Sequence, residues 1–178
     1  MTATPAPTPT APATTAPACS PSPTPAATPV AFLSAAYDYA ATFPAGAKAR
    51  QATKPWDGEA RIDSTGPYTD QVNLPGSILF FVYGAPTNLD LAAYAEQTQA
   101  QMVAWHDCPA APAATSDLAL DGTPGRLHEM SCLGLFVQKL MVVRDGQGLV
   151  VNMLAPPSDP DAARALLRDL VASMTWPA

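Results

Sequence analysis

The chain has 178 residues, a net charge of −6 and 21 prolines, nine of which lie between Met1 and Pro29. Apart from Met1 and Cys19, the rest of that segment is Thr, Ala and Ser, without charged, aromatic or branched aliphatic side chains. Because it has no apolar surface to offset the entropy of ordering, residues 1–30 are predicted to be a disordered linker. Residues 31–178 have the size of one domain and leave no room for a second.

Charge and hydropathy exclude two classes of partner. The basic residues are scattered singly from Lys48 to Arg168. They form no stripe that could neutralise phosphates, so we expect no nucleic-acid partner. The longest apolar runs, residues 78–82 and 140–143, have the length of strands, so we expect no transmembrane span in this chain.

The composition of the linker favours a location outside the cytoplasm. Pro/Thr/Ala tracts commonly tether domains at cell surfaces, so a secreted or surface-tethered protein is expected. Met1 is not followed by a basic and then an apolar segment, and we therefore expect the signal or anchor to lie outside the given sequence. Cys19 follows Ala16-Pro17-Ala18, which resembles the approach to a lipidated cysteine, but no apolar run precedes it and lipidation is not expected there.

Two further cysteines lie in the folded part. Cys108 and Cys132 are 24 residues apart, and in an oxidising compartment a disulfide is their simplest use. Closing a loop of this size would stabilise the fold by about 3 kcal/mol. Two separate buried thiols are the alternative. A metal site is the weaker interpretation, because neither cysteine has a CxxC companion.

Apolar periodicity predicts the elements of the first half in chain order. A strand over residues 37–43 is expected to form a hairpin with residues 47–53, a weak strand to follow at 60–63, and a loop to cover 64–76. Residues 77–83 form the first strongly apolar strand. A helix follows, with Thr87 as its cap, Leu91, Tyr94, Ala95, Thr98, Met102 and Trp105 on its apolar side, and Gln99 on the opposite side.

The second half is predicted to contain four strands and a second helix. The strands cover residues 118–120, 126–132, 135–143 and 149–154, and the last two form a hairpin around Asp145-Gly146. Ser158 is the predicted cap of the last helix. The predicted order of elements is strands, a helix, consecutive strands and a second helix. This order favours an α+β fold in which helices pack on an antiparallel sheet.

Several of these segments together carry a family resemblance. They are Tyr37-x-Tyr39 with Phe43-Pro44, Leu120-Asp121-Gly122-x-Pro124, Asp145-Gly146-x-Gly148, and Leu166-Leu167 with Ser173-x-x-Trp176. In this pattern residues 32–177 resemble the PsbP/Mog1-like fold, in particular small bacterial secreted or lipid-anchored proteins with a Thr/Pro-rich spacer. Such proteins often have Pro-x-x-Trp after the first strand, whereas here the tryptophan comes later, at Trp56. The resemblance implies an α/β/α sandwich and a non-enzymatic binding, scaffolding or assembly role.

The candidates for catalysis are few. His106 ends the first predicted helix, where a cation would favour the helix dipole, and its neighbour Asp107 would point elsewhere. His128 lies on a strand and is predicted to be a packed or surface residue. No catalytic or phosphate-binding motif is present, and we expect no cofactor and no metal. The alternative is a small extracytoplasmic enzyme with a Cys/His or carboxylate site near Cys108 and Cys132.

Aromatic and acidic side chains gather in the loop between residues 51 and 69. Trp56, Asp57 and Tyr68 lie there, and we predict a ligand groove between this loop and the first helix, which contributes Tyr94 and Trp105. The alternative is a solvated loop whose aromatic residues cover the edge of the sheet. The sequence thus predicts an exported, tethered, non-enzymatic module that binds a protein or small ligand at the cell surface.

Overall fold

The computed structural model describes residues 28–177. The predicted linker over 1–30, including Cys19, lies almost entirely outside these residues. Within them the chain forms nine strands and two helices. They are β1 (Val30–Ser34), β2 (Tyr39–Phe43), β3 (Lys48–Arg50), β4 (Asp70–Leu74), β5 (Ile78–Pro86), α1 (Leu91–His106), β6 (Ala114–Asp117), β7 (Gly125–Cys132), β8 (Leu135–Arg144), β9 (Gln147–Ala155) and α2 (Pro160–Ser173). Neither helix is long and apolar enough to cross a bilayer.

Seven of the strands form one antiparallel sheet in the order β3-β4-β5-β9-β8-β7-β6. Its centre is the predicted β8–β9 hairpin, in which Arg144 pairs with Gln147. Asp145 and Gly146 form the two-residue turn and both have positive φ, 51° and 76°. Asp and Gly accept this left-handed conformation, which matches the twist of the flanking strands.

The two faces of the sheet are covered by different elements, because side chains alternate along each strand. On one face, α2 and the β1–β2 hairpin pack on the main core, where Leu140, Val151 and Leu167 are fully buried. Phe43 of β2 reaches Phe80 of β5 with ring centroids 5.2 Å apart. On the other face lie α1 and residues 51–69. The result is an α/β/α sandwich of the predicted α+β class.

The predicted hairpin between residues 37–43 and 47–53 was wrong. β2 pairs with β1, and β3 pairs instead with β4 at the edge of the main sheet. The apolar side of β2 is buried against α2 and the sheet core, which removes this strand from the sheet plane. β3 has only exposed residues, as is common for an edge strand.

Three other strand predictions were also wrong. β4 lies inside the segment expected to be loop. It was not predicted because Asp70, Gln71 and Asn73 leave only two apolar residues in the strand. Residues 60–63 form no strand, and the short strand expected at 118–120 lies at 114–117. Both predicted helix caps were displaced. α1 is capped by Asp90 in place of Thr87, with its side chain accepting from the backbone N–H of Ala93, and α2 is capped by Asp159 in place of Ser158.

Candidate functional site

A row of polar side chains crosses the α1 side of the sheet. Lys139 of β8 pairs in register with His128 of β7 and with Asn152 of β9, so the three side chains are neighbours on one face. Lys139 is 0% exposed, Asn152 2% and His128 8%. This buried polar row lies beside the apolar residues Val137, Met141 and Val150 of the same face.

Lys139 carries the most unusual group of this row. Its Nζ donates to the backbone carbonyl of Thr98 on α1, 3.3 Å away. This is the amine's one hydrogen bond within residues 28–177, although an ammonium has three N–H donors. No carboxylate of these residues lies within ion-pair distance of it. Burial lowers the pKa of Lys139 from 10.5 to about 7.

Two amide groups close to Lys139 also have unused hydrogen-bonding capacity. The Nδ2 of Asn152 and the Oε1 of Gln101 are buried and have no partner among the described residues. A buried polar atom without a partner costs about 1–3 kcal/mol. Two of the seven such atoms found within residues 28–177 belong to lining residues of one cavity, which makes that cavity a candidate site.

These groups adjoin a cavity of about 590 Å³, which we call the α1 cavity. Its walls come from the sheet, from the second half of α1, from the loop, and from the β7–β8 turn. The lining residues are Arg61, Ile62, Asp63, Ser64, Phe81, Tyr83, Gln101, Met102, Trp105, His106, Cys132, Leu133, Leu135, Val137, Lys139, Asn152 and Leu154. The volume falls within the range of about 300–1,000 Å³ that is typical of small-molecule sites.

Aromatic residues hold the outer wall of the α1 cavity. Trp105 lines it, and Trp56 packs behind Trp105 in an edge-to-face contact with ring centroids 6.1 Å apart. Trp56 also contacts Tyr83 at 5.4 Å, and its indole N–H donates to the carbonyl of Ala60 at 2.8 Å. The buried Trp56 thus ties the loop to both α1 and the sheet.

The α1 cavity is lined by the basic side chains Arg61 and Lys139 and by His106. Arg61 donates to Nδ1 of His106 across 3.4 Å. Burial lowers the pKa of His106, and the charges of Arg61 and Lys139 lower it further. Burial followed by the charge of Lys139 also lowers the pKa of His128. Asp63 is the one carboxylate among the lining residues. These shifts disfavour the protonated form of His106 that was expected to interact with the helix dipole.

The five predicted groove residues do not line one cavity. Trp105 lines the α1 cavity and Trp56 supports it, at the expected place between the loop and α1. Asp57 lies at a different cavity and Tyr94 at a third. The ring of Tyr68 contacts Lys54, whose Nζ lies 4.7 Å from the ring centroid. The groove as composed of these five residues stays a prediction.

Sequence reasoning missed Lys139, Asn152 and Gln101. A signal was present for the first: Lys139 is a single charge within an apolar strand, and such a charge is rarely buried without a purpose. Gln99 was expected on the solvent side of α1, but it is buried. Its Nε2 donates to the carbonyl of Pro109 at 2.8 Å, and its Oε1 lies 3.3 Å from His128 Nδ1. Four residues after Ala95, it shares that residue's buried side of the helix.

The cavity at which Asp57 lies has a volume of about 610 Å³. It lies beside the β8–β9 turn and is lined by both Trp56 and Asp57. Its one basic side chain already has partners. Arg144 pairs with Asp145 at 3.1 Å, and its guanidinium lies over the ring of Trp176 at 4.9 Å. The α1 cavity is the stronger candidate because its buried polar groups are unpaired.

A disulfide joins Cys108, just after α1, to Cys132 at the end of β7. It holds the C-terminal end of α1 against the sheet beside the α1 cavity. The bond consumes both thiols, so these two cysteines supply no nucleophile to the Cys/His site considered above. Within residues 28–177, no group of three or more His, Cys, Asp or Glu side chains is arranged to hold a metal ion.

Comparison with known proteins identifies the fold. No family model and no curated protein matches the sequence. Among solved structures, the chain is similar to cyanobacterial PsbP (CyanoP) from Synechocystis, with a TM-score of 0.58 and 11% identity, covering 85% of this chain and 94% of that one. A protein from Bacteroides thetaiotaomicron matches with a TM-score of 0.48 and 9% identity, covering 83% of this chain and 48% of that one. The PsbP-like fold implied by the resemblance is thus confirmed.

Proposed function

We propose that this chain is an exported, non-enzymatic binding module that holds a small, largely apolar ligand in the α1 cavity. The observation that carries this proposal is the cavity itself, an aromatic-walled space with unpaired buried polar groups at its inner end. Binding sites characteristically combine an apolar lining with a few polar groups that orient the ligand.

Binding is favoured over catalysis by the way the reactive side chains are engaged. The two cysteines are bonded to each other, His128 is packed against Gln99, and His106 accepts from Arg61. A catalytic site of the Cys/His type needs a free thiol within reach of a basic imidazole. The engagement of these cysteines and histidines therefore supports recognition of a ligand over catalysis of the Cys/His type.

The disulfide and the sequence of the first 30 residues support the export part of the proposal. Disulfides persist in oxidising compartments and are rare in the cytosol. An extended Pro-rich spacer would hold the domain about 3 Å from its attachment point for each residue in polyproline II conformation. We infer that the spacer presents the α1 cavity at or beyond the cell surface.

Ligand binding can be tested with a library of small neutral, anionic and cationic aromatic compounds. Trp105 lines the cavity, so its fluorescence reports occupancy, and saturation-transfer NMR identifies the bound compounds. Leu154→Trp fills the cavity and should abolish binding, whereas Leu33→Trp, at a position 57% exposed on β1, should leave it unchanged. Binding that survives Leu154→Trp in a folded protein would reject the α1 cavity as the site.

Export has an independent test. Peptide mapping without reduction, on protein taken from the native cells and alkylated at lysis, should recover the Cys108–Cys132 linkage. Cell fractionation should place the protein outside the cytoplasm. Free thiols at both positions in a cytoplasmic fraction would refute the proposed location while leaving the binding proposal to its own experiment.

A further inference from the structure

The α1 cavity is lined by two buried side chains with unused donors, Lys139 and Asn152, and by Gln101, which has an unused acceptor. Lys139 uses one of three N–H groups, on the carbonyl of Thr98. The Nδ2 of Asn152, its neighbour in register, lies close to Tyr83 and makes no hydrogen bond of normal geometry within residues 28–177. Two buried side chains that line the same cavity therefore have unused donors, and both belong to central strands of the sheet.

Lys139 has no carboxylate within ion-pair distance among residues 28–177. Arg61 is the other basic side chain at the cavity, and the lowered pKa values of His106 and His128 disfavour their charged forms. The nearest opposing charge among the lining residues is Asp63, which is exposed and whose carboxylate is occupied by the backbone N–H and hydroxyl of Thr65 at 2.8 and 2.9 Å. A buried amine without a counter-ion is costly, and an anionic ligand would supply the missing partner.

We propose that the ligand of the α1 cavity is an amphiphilic carboxylate, anchored by Lys139 and Asn152 and packed through its apolar body against Trp105, Phe81 and Leu154. This inference rests on the proposed function, because it names the ligand class of the same cavity. A carboxylate has two oxygens that each accept more than one hydrogen bond, which matches the free donors of an ammonium and an amide. The aromatic wall selects against small hydrophilic anions such as acetate.

Binding a carboxylate should also take up a proton. The titratable or charged groups on the elements around the amine are His106 and Tyr94 on α1, His128 on β7, Tyr83 on β5, and Arg61 and Asp63 in the loop. Burial raises the pKa of Tyr83 and of Tyr94, the pKa values of both histidines and of Asp63 are lowered, and a guanidinium stays charged. Near pH 8, Lys139 is thus the group whose protonation a bound carboxylate would change.

The experiment compares 4-phenylbutyrate, 4-phenylbutan-1-ol and acetate by titration calorimetry on the full chain, in buffers of different ionisation enthalpy. At pH 7 the phenylbutyrate should bind about 10- to 100-fold more tightly than the alcohol, as charge-assisted hydrogen bonds are stronger than neutral ones. Acetate should not bind measurably. At pH 8 the phenylbutyrate should take up close to one proton per molecule bound, and the alcohol none.

Lys139→Met should remove both the preference for the carboxylate and the proton uptake while retaining binding of the alcohol. Lys54→Met removes an exposed lysine outside the cavity and should change neither. Equal binding of phenylbutyrate and the alcohol, or proton uptake that persists in Lys139→Met, would overturn the assignment of the ligand class and leave the proposed function standing. If neither compound nor any library member binds, the proposed function fails as well.

Discussion

Replacing Lys139 by Met should stabilise the protein, and most strongly at neutral and lower pH. Methionine preserves the approximate length and volume of the side chain and removes the buried amine. The loss of one hydrogen bond to the Thr98 carbonyl opposes this gain by about 1 kcal/mol. The net effect depends on how strongly the fold disfavours the ammonium.

The pKa of Lys139 sets the magnitude. In the unfolded chain the amine titrates at 10.5, and in the folded protein at about 7. Between these values the unfolded state binds more protons, so stability increases with pH through this range. Complete protonation, below pH 7, costs the fold on the order of 5 kcal/mol relative to a pH above 10.5. Between pH 7 and pH 9.5 the wild type should recover about 3 kcal/mol of that cost.

The assay is urea denaturation of wild type and Lys139→Met at several pH values from 7 to 9.5. Both proteins should carry Cys19→Ser, because a free thiolate would attack the disulfide at high pH. All other groups contribute equally to the two proteins to a first approximation, so the difference in unfolding free energy isolates the lysine. The methionine variant should be several kcal/mol more stable at pH 7, and its advantage should shrink as pH increases.

A difference in stability that does not change with pH would refute this reasoning. It would mean that the amine stays charged in the folded protein. The ammonium would then need a stabilising partner, from water or from the chain, in addition to the carbonyl of Thr98. A methionine variant less stable than wild type across the whole range would show that the hydrogen bond to α1 outweighs the burial of the amine.

Three further outcomes are expected. Replacing Cys108 and Cys132 together by Ser should lower the unfolding free energy by about 3 kcal/mol, because the bond closes a loop of 24 residues; an unchanged urea midpoint would contradict this. Gly148→Ala places a Cβ on the Tyr94 ring and should cost about 1–3 kcal/mol, and Tyr94→Ala in the same chain should remove that penalty in a double-mutant cycle. The pKa of His106, followed by NMR, should increase toward 6.5 in the methionine variant, because the lysine charge helps to lower it; an unmoved pKa would place that charge elsewhere.

Local sequence signals predicted the elements that depend on few partners. The β8–β9 hairpin follows from Asp145-Gly146 between two apolar strands, since the turn chemistry and the alternation agree. Both helices were found from their apolar periodicity, although their caps were displaced. Segments with polar residues on a half-buried strand, such as β4, were missed because pairing with β3 and β5 supplies the stability that their composition does not indicate.

Pairing partners and the candidate site depend on contacts between distant segments. The alternation in β2 predicted a strand and gave no information on its partner, which is β1. The α1 cavity joins residues from Arg61 to Leu154, which are separated by up to 93 positions. Lys139 was visible as a single charge in an apolar strand, whereas the unpaired amide of Asn152 appears only when the neighbouring strands and α1 are in place.

The sequence by itself determined the class of the fold and the scattered distribution of the basic residues, because composition and short-range periodicity carry that information. Only the tertiary structure decided that β1 and β2 leave the main sheet, that Cys108 meets Cys132, and that Lys139 is buried without a counter-ion. Burial and charge pairing are properties of the surroundings of a side chain, and those surroundings are assembled from segments far apart in the chain.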